Sequence, residues 1–333
     1  MLRVTAEQEA AVHASRRAFN LRAVALAANS DAELLGNSAP VDIDAWRRID
    51  TRATTMQRDV LAVFNRMARG SQTPIDVGDL VNYFPQVSDS GEVTVSLDGR
   101  QTGRSDQAQV KYVGTPVPVI ASEARWGWRQ MAVNRKGRIA IDTITIENHQ
   151  RKVAEKLEDM MLNGDAQVVI NGLQIYGLRN HPNRNTGNHT FDLNATATGA
   201  NWVTAFNSML QLMVGDNAYS PVTVFLNYSD WLYASINDFS ATKGDQTILQ
   251  RLRAIENIAD IVPASKVPAD NIIGVAGVDT GNWGTILSAM PMTTRPKNRQ
   301  NTEDDYVFST MAIAAPQLRT DFTNQMGVVH LSQ

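Results

Sequence analysis

Residues 138–166, RIAIDTITIENHQRKVAEKLEDMMLNGDA, set the architecture. Ile146, Val153, Leu157, Met160 and Met161 recur at helical spacing on one face, while Glu147, Gln150, Arg151, Lys152, Glu155, Lys156 and Glu158 populate the rest. Gly164 follows and stops the run. The spacing predicts a helix over 138–163, roughly 24 residues and about 36 Å long at about 1.5 Å per residue, enough to cross an entire domain.

Downstream, Val168–Ile175 and the segment Tyr176-Gly177-Leu178-Arg179-Asn180-His181-Pro182-Asn183 change abruptly into strand and turn. A second domain is expected from near Asn194. There Asn201 is positioned to cap a helix presenting Trp202, Phe206, Leu210 and Met213, which Gly215-Asp216-Asn217 ends. Val222–Leu226 reads as a buried strand, with Ser229 as a cap for residues 230–236. Ile248, Leu249, Leu252 and Ile255 mark another helix, Asp245 near its start and Arg251 and Arg253 toward its end, signs that suit the helix dipole. Residues 259–278 return to short strands. Ile286–Met292, Tyr306–Ala314 and Met326–Leu331 are late strands that need partners, and the 138–163 helix is their expected covering layer.

Upstream, residues 6–29 form an amphipathic helix through Val12, Phe19, Ala23 and Leu26, and a second runs from Ile43 to Met67, ending near Gly70. Val81, Tyr83 and Phe84, then Val93, Val95 and Leu97, alternate with polar residues between turn signals. Residues 92–120 are read as a long polar β-hairpin. Its tip, Gly99–Asp106, has little with which to build a core, and is either flexible or ordered by another molecule. Lys111–Ile120 reads as extended edge structure, because its prolines remove ladder donors.

Composition narrows the function. A chain of 333 residues is expected to hold about two domains. The balance of 31 Lys and Arg against 34 Asp and Glu argues against a broad cationic groove for nucleic acid. With no cysteine, disulfides, thiolate metal sites and cysteine nucleophiles are eliminated. The opening Met1–Glu7 lacks a signal-peptide core, and no segment reaches about 18 uninterrupted apolar residues. A soluble chain without a targeting signal is the expectation.

Catalytic constellations fail on spacing. Gly274, Gly277, Gly281 and Gly284 do not match the dinucleotide fingerprint and read as turn and strand-end glycines. His181, His189 and Asp192 could hold a metal for a hydrolase, but no His-Glu-x-x-His helix supports them. Glu155, Glu158 and Asp159 are interspersed with cations and read as a solvated or interfacial face. No Gly-x-Ser-x-Gly elbow anchors a serine triad. Arg125-Trp126-Gly127-Trp128-Arg129 and Arg135-Lys136-Gly137-Arg138 form the best local nucleic-acid clue, with protein packing the favoured reading.

The long helix followed by Leu162-Asn163-Gly164-Asp165-Ala166, and then Gly172-Leu173-Gln174-Ile175 leading into Tyr176–Asn183, resembles the major capsid proteins of tailed bacteriophages and the related encapsulin shells. The resemblance implies an α+β fold: a spine helix at 138–163, a peripheral domain of residues 121–193 and 286–333, and an axial domain of 194–285. Residues 1–70 would supply an N-terminal arm and helices, and 73–120 the extended β-hairpin loop that reaches a neighbour. No long propeptide region precedes the folded part, a departure from better-known members.

The implied function is a non-enzymatic major capsid protein, without cofactor or metal. It would self-assemble through pentamers and hexamers into an icosahedral shell around a double-stranded DNA genome. Partners would include scaffolding, portal and cement proteins, with non-specific contacts to packaged DNA and no membrane. The location would be the virion, after assembly in the bacterial host cytoplasm. Arg100, Arg104 and Asp106 at the loop tip, Glu155 on the helix and Arg179 in the following turn are the subunit-contact candidates. An encapsulin-like compartment storing a protein cargo is the alternative in the same class, and a metal-dependent hydrolase the alternative outside it.

Overall fold

The computed structural model describes residues 6–27, 61–91, 93, 95, 97–98, 107–130, 141–240 and 246–333. The chain divides into two units, Met1–Met56 and Gln57–Gln333. In the first lies helix α1 (Ala6–Ala27), as the amphipathic spacing predicts, with Val12, Phe19 and Leu21 exposed. Of the expected 43–67 helix, the described part is α2 (Val63–Gly70).

The described residues of the second unit hold two larger sheets and two two-stranded ones. A four-stranded sheet has the order β1-β11-β12-β4. Its strands are β1 (Gln72–Pro74), β4 (Val119–Trp126), β11 (Gly284–Pro296) and β12 (Tyr306–Leu318). β4 is an edge, as the prolines before it suggest. Helix α3 (Ile141–Asn163) covers one face, and residues 131–140 lie outside the described set. Val153 and Leu157 pack on Ala312 and Ala314, and Ile146 on Trp126 and Phe308. The opposite face holds Val117, Leu287, Ile313 and Ala315. Gly164 ends α3 at φ 68°, where a Cβ would lie 2.3 Å from the carbonyl oxygen of Ile175. The chain then doubles back through β5 (Asp165–Ile170) and β6 (Leu173–Ile175).

The other sheet has the order β7-β13-β10-β8-β9. Its strands are β7 (Asn185–Asn188), β8 (Val222–Leu226), β9 (Ile258–Pro263), β10 (Asn271–Ala276) and β13 (Val328–Ser332). Every residue of β8 is buried, because both faces are covered. Val222, Val224 and Leu226 meet Trp202, Phe206 and Met209 of α4 (Gly199–Gly215), with α6 (Ile248–Arg253) on the same side. Phe225, Ile273 and Val275 face the other way, onto Met161 and Leu162 at the end of α3, Val63 and Met67 of α2, and Trp283. Gly274 lies in mid-strand, not at a turn as its spacing suggested: a Cβ there would fall 2.5 Å from Met209 Sδ.

Two cap assignments and one strand assignment move. Thr198 caps α4, accepting from the N–H of Asn201; Asn227 caps α5 (Tyr228–Ile236), accepting from the N–H of Ser229; and Thr247 caps α6 in a capping box with Gln250. The expected caps Asn201 and Ser229 are instead the third and second residues of their helices. Asp245 is outside the described residues. β11 and β12 take α3 as their covering layer, but β13 pairs with β10 and β7 in the other sheet. Val329 and Leu331 there fill the core around Trp202.

Candidate functional site

A hairpin projects from the four-stranded sheet. β2 (Val81–Val87) pairs with β3 (Val110–Pro116) in antiparallel register, Val81 opposite Pro116 and Val87 opposite Val110. The expected 92–120 hairpin is therefore displaced: its return strand pairs with 81–87, and 88–109 is the connection. Period-two alternation could not distinguish these registers.

The inward face of the hairpin is anchored by amides. Gln86 Nε2 donates to the carbonyl and hydroxyl oxygens of Thr320, at 3.1 and 2.6 Å. Asn82 Nδ2 donates to Gln317 Oε1 at 3.2 Å, and Gln317 Nε2 returns a bond to the Asn82 carbonyl at 3.1 Å. Phe84 packs inward beside them. The Ser88 N–H donates to the Gln109 carbonyl oxygen, and the Gln109 N–H to Ser88 Oγ, closing the base of the connection.

The outward face is apolar. Tyr83, Pro85 and Val87 stand opposite Gly114, Tyr112 and Val110, all but the glycine exposed. Beyond them Val93 and Val95 are 90% and 93% exposed, and Leu97 is fully so. Apolar residues in a row on an extension already anchored on its other face form an uncovered contact surface. The tip candidates Arg100, Arg104 and Asp106 lie outside the described residues.

Glu155 lies on α3 and Arg179 in the turn after β6. Glu155 accepts from Lys152 at 2.8 Å and lies 3.7 Å from Arg151. Arg179 Nη1 donates to Asn163 Oδ1 at 2.8 Å, and its backbone N–H to the Leu162 carbonyl oxygen.

Glu158 corrects the reading of α3 as carrying a solvated acidic face. Its side chain is fully buried. Oε1 accepts from the N–H groups of Ala62 and Val63 at 3.1 and 2.9 Å, and Oε2 from Phe64 at 2.8 Å. Ala62 supplies no side-chain cap to α2, so a carboxylate from another helix performs that task. Burial pushes the Glu158 carboxyl above its usual range, against the opposing pull of the three N–H groups and Arg151. A signal was present: at about 100° per residue, Glu158 points between Met161 and Leu162, both apolar.

The histidine region is built for turns. His189 Nδ1 lies 2.9 Å from the Phe191 carbonyl oxygen and Nε2 3.0 Å from that of Asp270, while His181 Nδ1 accepts from the Asn183 N–H at 3.2 Å. Asp192 Oδ1 accepts from the N–H groups of Asn194 and Ala195. Among the described residues, no three acidic or histidine side chains are grouped to hold a metal. Trp126 is buried with its ring edge-on to Phe308, as the packing reading expects, and Trp128 is half-exposed. Arg135, Lys136 and Arg138 lie outside the described residues. Among the described residues, no helix is long and apolar enough to cross a membrane.

Residues 36–331 match a protein family described as "Family of unknown function (DUF6260)". No curated protein matches the chain in sequence. Solved structures do match in fold. The capsid of Myoviridae Phage XM1 superposes with TM-score 0.69 at 12% identity, covering 89% of this chain and 99% of that one. The capsid of a native GTA particle gives 0.57 at 14% identity, covering 88% and 97%. A structure of Mycobacterium phage Bobi gives 0.59 at 10% identity, covering 86% and 95%. The α+β fold with open sheets is thus shared nearly end to end.

Proposed function

We propose that this chain, which belongs to the DUF6260 family, is the major capsid protein of a tailed double-stranded-DNA phage, self-assembling into an icosahedral shell. The observation that supports this is the end-to-end fold match to capsid proteins. In this reading α3 is the spine helix. Residues 121–193 and most of 286–333 form the peripheral domain, and 194–285 the axial domain, with β13 shared into the axial sheet. Residues 1–70 supply the arm and helices.

The hairpin and its connection, within residues 73–120, are the extended loop. One face is anchored by Gln86 and Asn82 and the other is apolar, the arrangement expected of an extension that lies against a second copy. Arg100, Arg104 and Asp106 at the tip and Glu155 and Arg179 elsewhere are its contact residues in this proposal. Scaffolding, portal and cement proteins, DNA held by non-specific contacts, and a virion location reached from the bacterial cytoplasm complete it. No catalytic residue is required. Weak contacts repeated over many copies allow errors to dissociate while closure gives stability.

Electron microscopy of the purified protein across a protein and salt series, with the mass of each species, tests this. Closed particles, or rings of five and six, are expected. A strictly monomeric or dimeric protein under every condition would overturn it.

A further inference from the structure

Arg179 and Arg184 lie on one tight turn. The His181 N–H donates to the Gly177 carbonyl oxygen at 3.1 Å and the Arg184 N–H to that of His181 at 3.2 Å. Thr186, two residues after Arg184 and so on the same face of an extended chain, then pairs with His330 on β13. His330 Nε2 lies 2.7 Å from Asn271 Oδ1.

Each guanidinium has five N–H donors and no acceptor. Arg179 Nη1 reaches Asn163 Oδ1, and Arg184 Nη1 reaches the His181 carbonyl oxygen at 3.0 Å. The Nε of both is buried without a partner. Neither forms an ion pair among the described residues, although the chain carries more acids than bases. The field of this pair is felt around it. Burial and the Arg184 charge lower Arg179; burial, Arg179 and Arg184 together hold His330 at about 4; and burial and Arg184 do the same to His181.

Two half-buried like charges raise each other's energy unless an anion joins them. The guanidinium fork fits a carboxylate or phosphate. We propose that Arg179, Arg184 and His330 form a receptor for a carboxylate presented by a second copy of this chain. This rests on the self-assembly reading above. Two guanidinium groups on one short turn match a single carboxylate better than the continuous phosphate row of a nucleic acid. Asp76, Asp89, Asp238 and Glu256 are exposed and outside any ion pair among the described residues, so copies have carboxylates to offer.

Histidine C2 hydrogen–deuterium exchange, read by mass spectrometry at a series of pH values, gives the midpoint of His330 in full-length protein before and after assembly. In phosphate-free buffer the midpoint should rise by about one pH unit or more on assembly, as the carboxylate offsets the arginine field. Arg184→Gln should raise it before assembly, remove most of the further rise, and lower shell yield about tenfold. Arg184→Lys keeps the charge and loses the fork, and is expected to recover part of that yield; recovery to full wild-type yield would count against bidentate recognition. Normal shells with His330 unmoved would overturn the inference and leave the capsid reading standing. Absence of shells under all conditions removes both. A midpoint raised by inorganic phosphate in unassembled protein, but not by assembly, would mark a site for a free oxyanion and overturn the inter-copy assignment.

Discussion

Strands β8 and β2 are both rich in β-branched and aromatic residues, yet they end in opposite conditions. All five residues of β8 are buried, because α4 and α6 cover one face of its sheet while α2 and the end of α3 cover the other. β2 buries only Phe84 and Gln86, and presents Tyr83, Pro85 and Val87 to solvent. The first sheet is completed by a single copy of the chain. The second is completed on one face only, and its stability as a structure depends on amide anchors at its base. Substitutions in the two regions should therefore separate folding from assembly.

Phe225→Ala should have the largest effect. Its ring is fully buried against Met161, Trp283 and Ile273, and its loss should cost about 3–5 kcal/mol in a denaturation of the unassembled subunit. A midpoint equal to wild type would mean that the five-stranded sheet is not the folding core, and the contrast with β2 would fail.

Acid should act on the turn between β6 and β7, which borders the hairpin. His181 is buried and held at about 4 by burial and Arg184, below its unfolded value near 6.5. The unfolded chain therefore binds the proton first, so the contribution of neutral His181 is complete above pH ~6.5 and is lost as pH falls toward about 4. The upper limit is about 3 kcal/mol for this group. Comparing urea midpoints of wild type and His181→Gln at pH 7 and pH 5 isolates it: the pH-dependent loss should shrink in the variant, and an equal loss in both would reject the assignment.

Glu158→Ala should cost about 2 kcal/mol, since three N–H groups at the start of α2 lose their acceptor in a place where water does not readily replace it. Glu158→Gln retains one carbonyl oxygen and should cost less. Thermal unfolding of the two variants orders them, and an alanine variant no weaker than the glutamine one would show that the carboxylate is not the cap.

The parts legible in the sequence are those whose period is dictated by burial. The face of α3 was readable from Val153, Leu157, Met160 and Met161, and β8 from its unbroken apolar run, because each reports covering layers directly. Long-range pairings were not readable. Nothing near Val110 says that it pairs with Val87 instead of with a strand nearer the tip, and nothing in Val328–Ser332 names β10 as its neighbour. Glu158 was misread for a related reason: its partners are backbone groups 94 to 96 residues away, which carry no side-chain signature. The shell reading came from the order of helix, turn and strand. The contact candidates came from the same resemblance, and of these Glu155 lies on α3 against Lys152 and Arg179 in the turn after β6 against Asn163.

Tyr112→Ser should have the smallest effect on the subunit and sharpens the comparison most. Tyr112 is 67% exposed opposite Pro85, so its removal should change unassembled stability by no more than about 0.5 kcal/mol. If a second copy covers this face, burial of the ring contributes about 1.5–3 kcal/mol per subunit in the shell. That contribution recurs in every copy, so a substitution nearly silent in the monomer should lower both shell yield and shell melting temperature. Deletion of Gly99–Asp106 should act in the same direction while leaving a folded subunit. Shells of normal yield and melting temperature from both variants would show that the outward face stays uncovered after assembly, and β2 would then differ from β8 only in being peripheral.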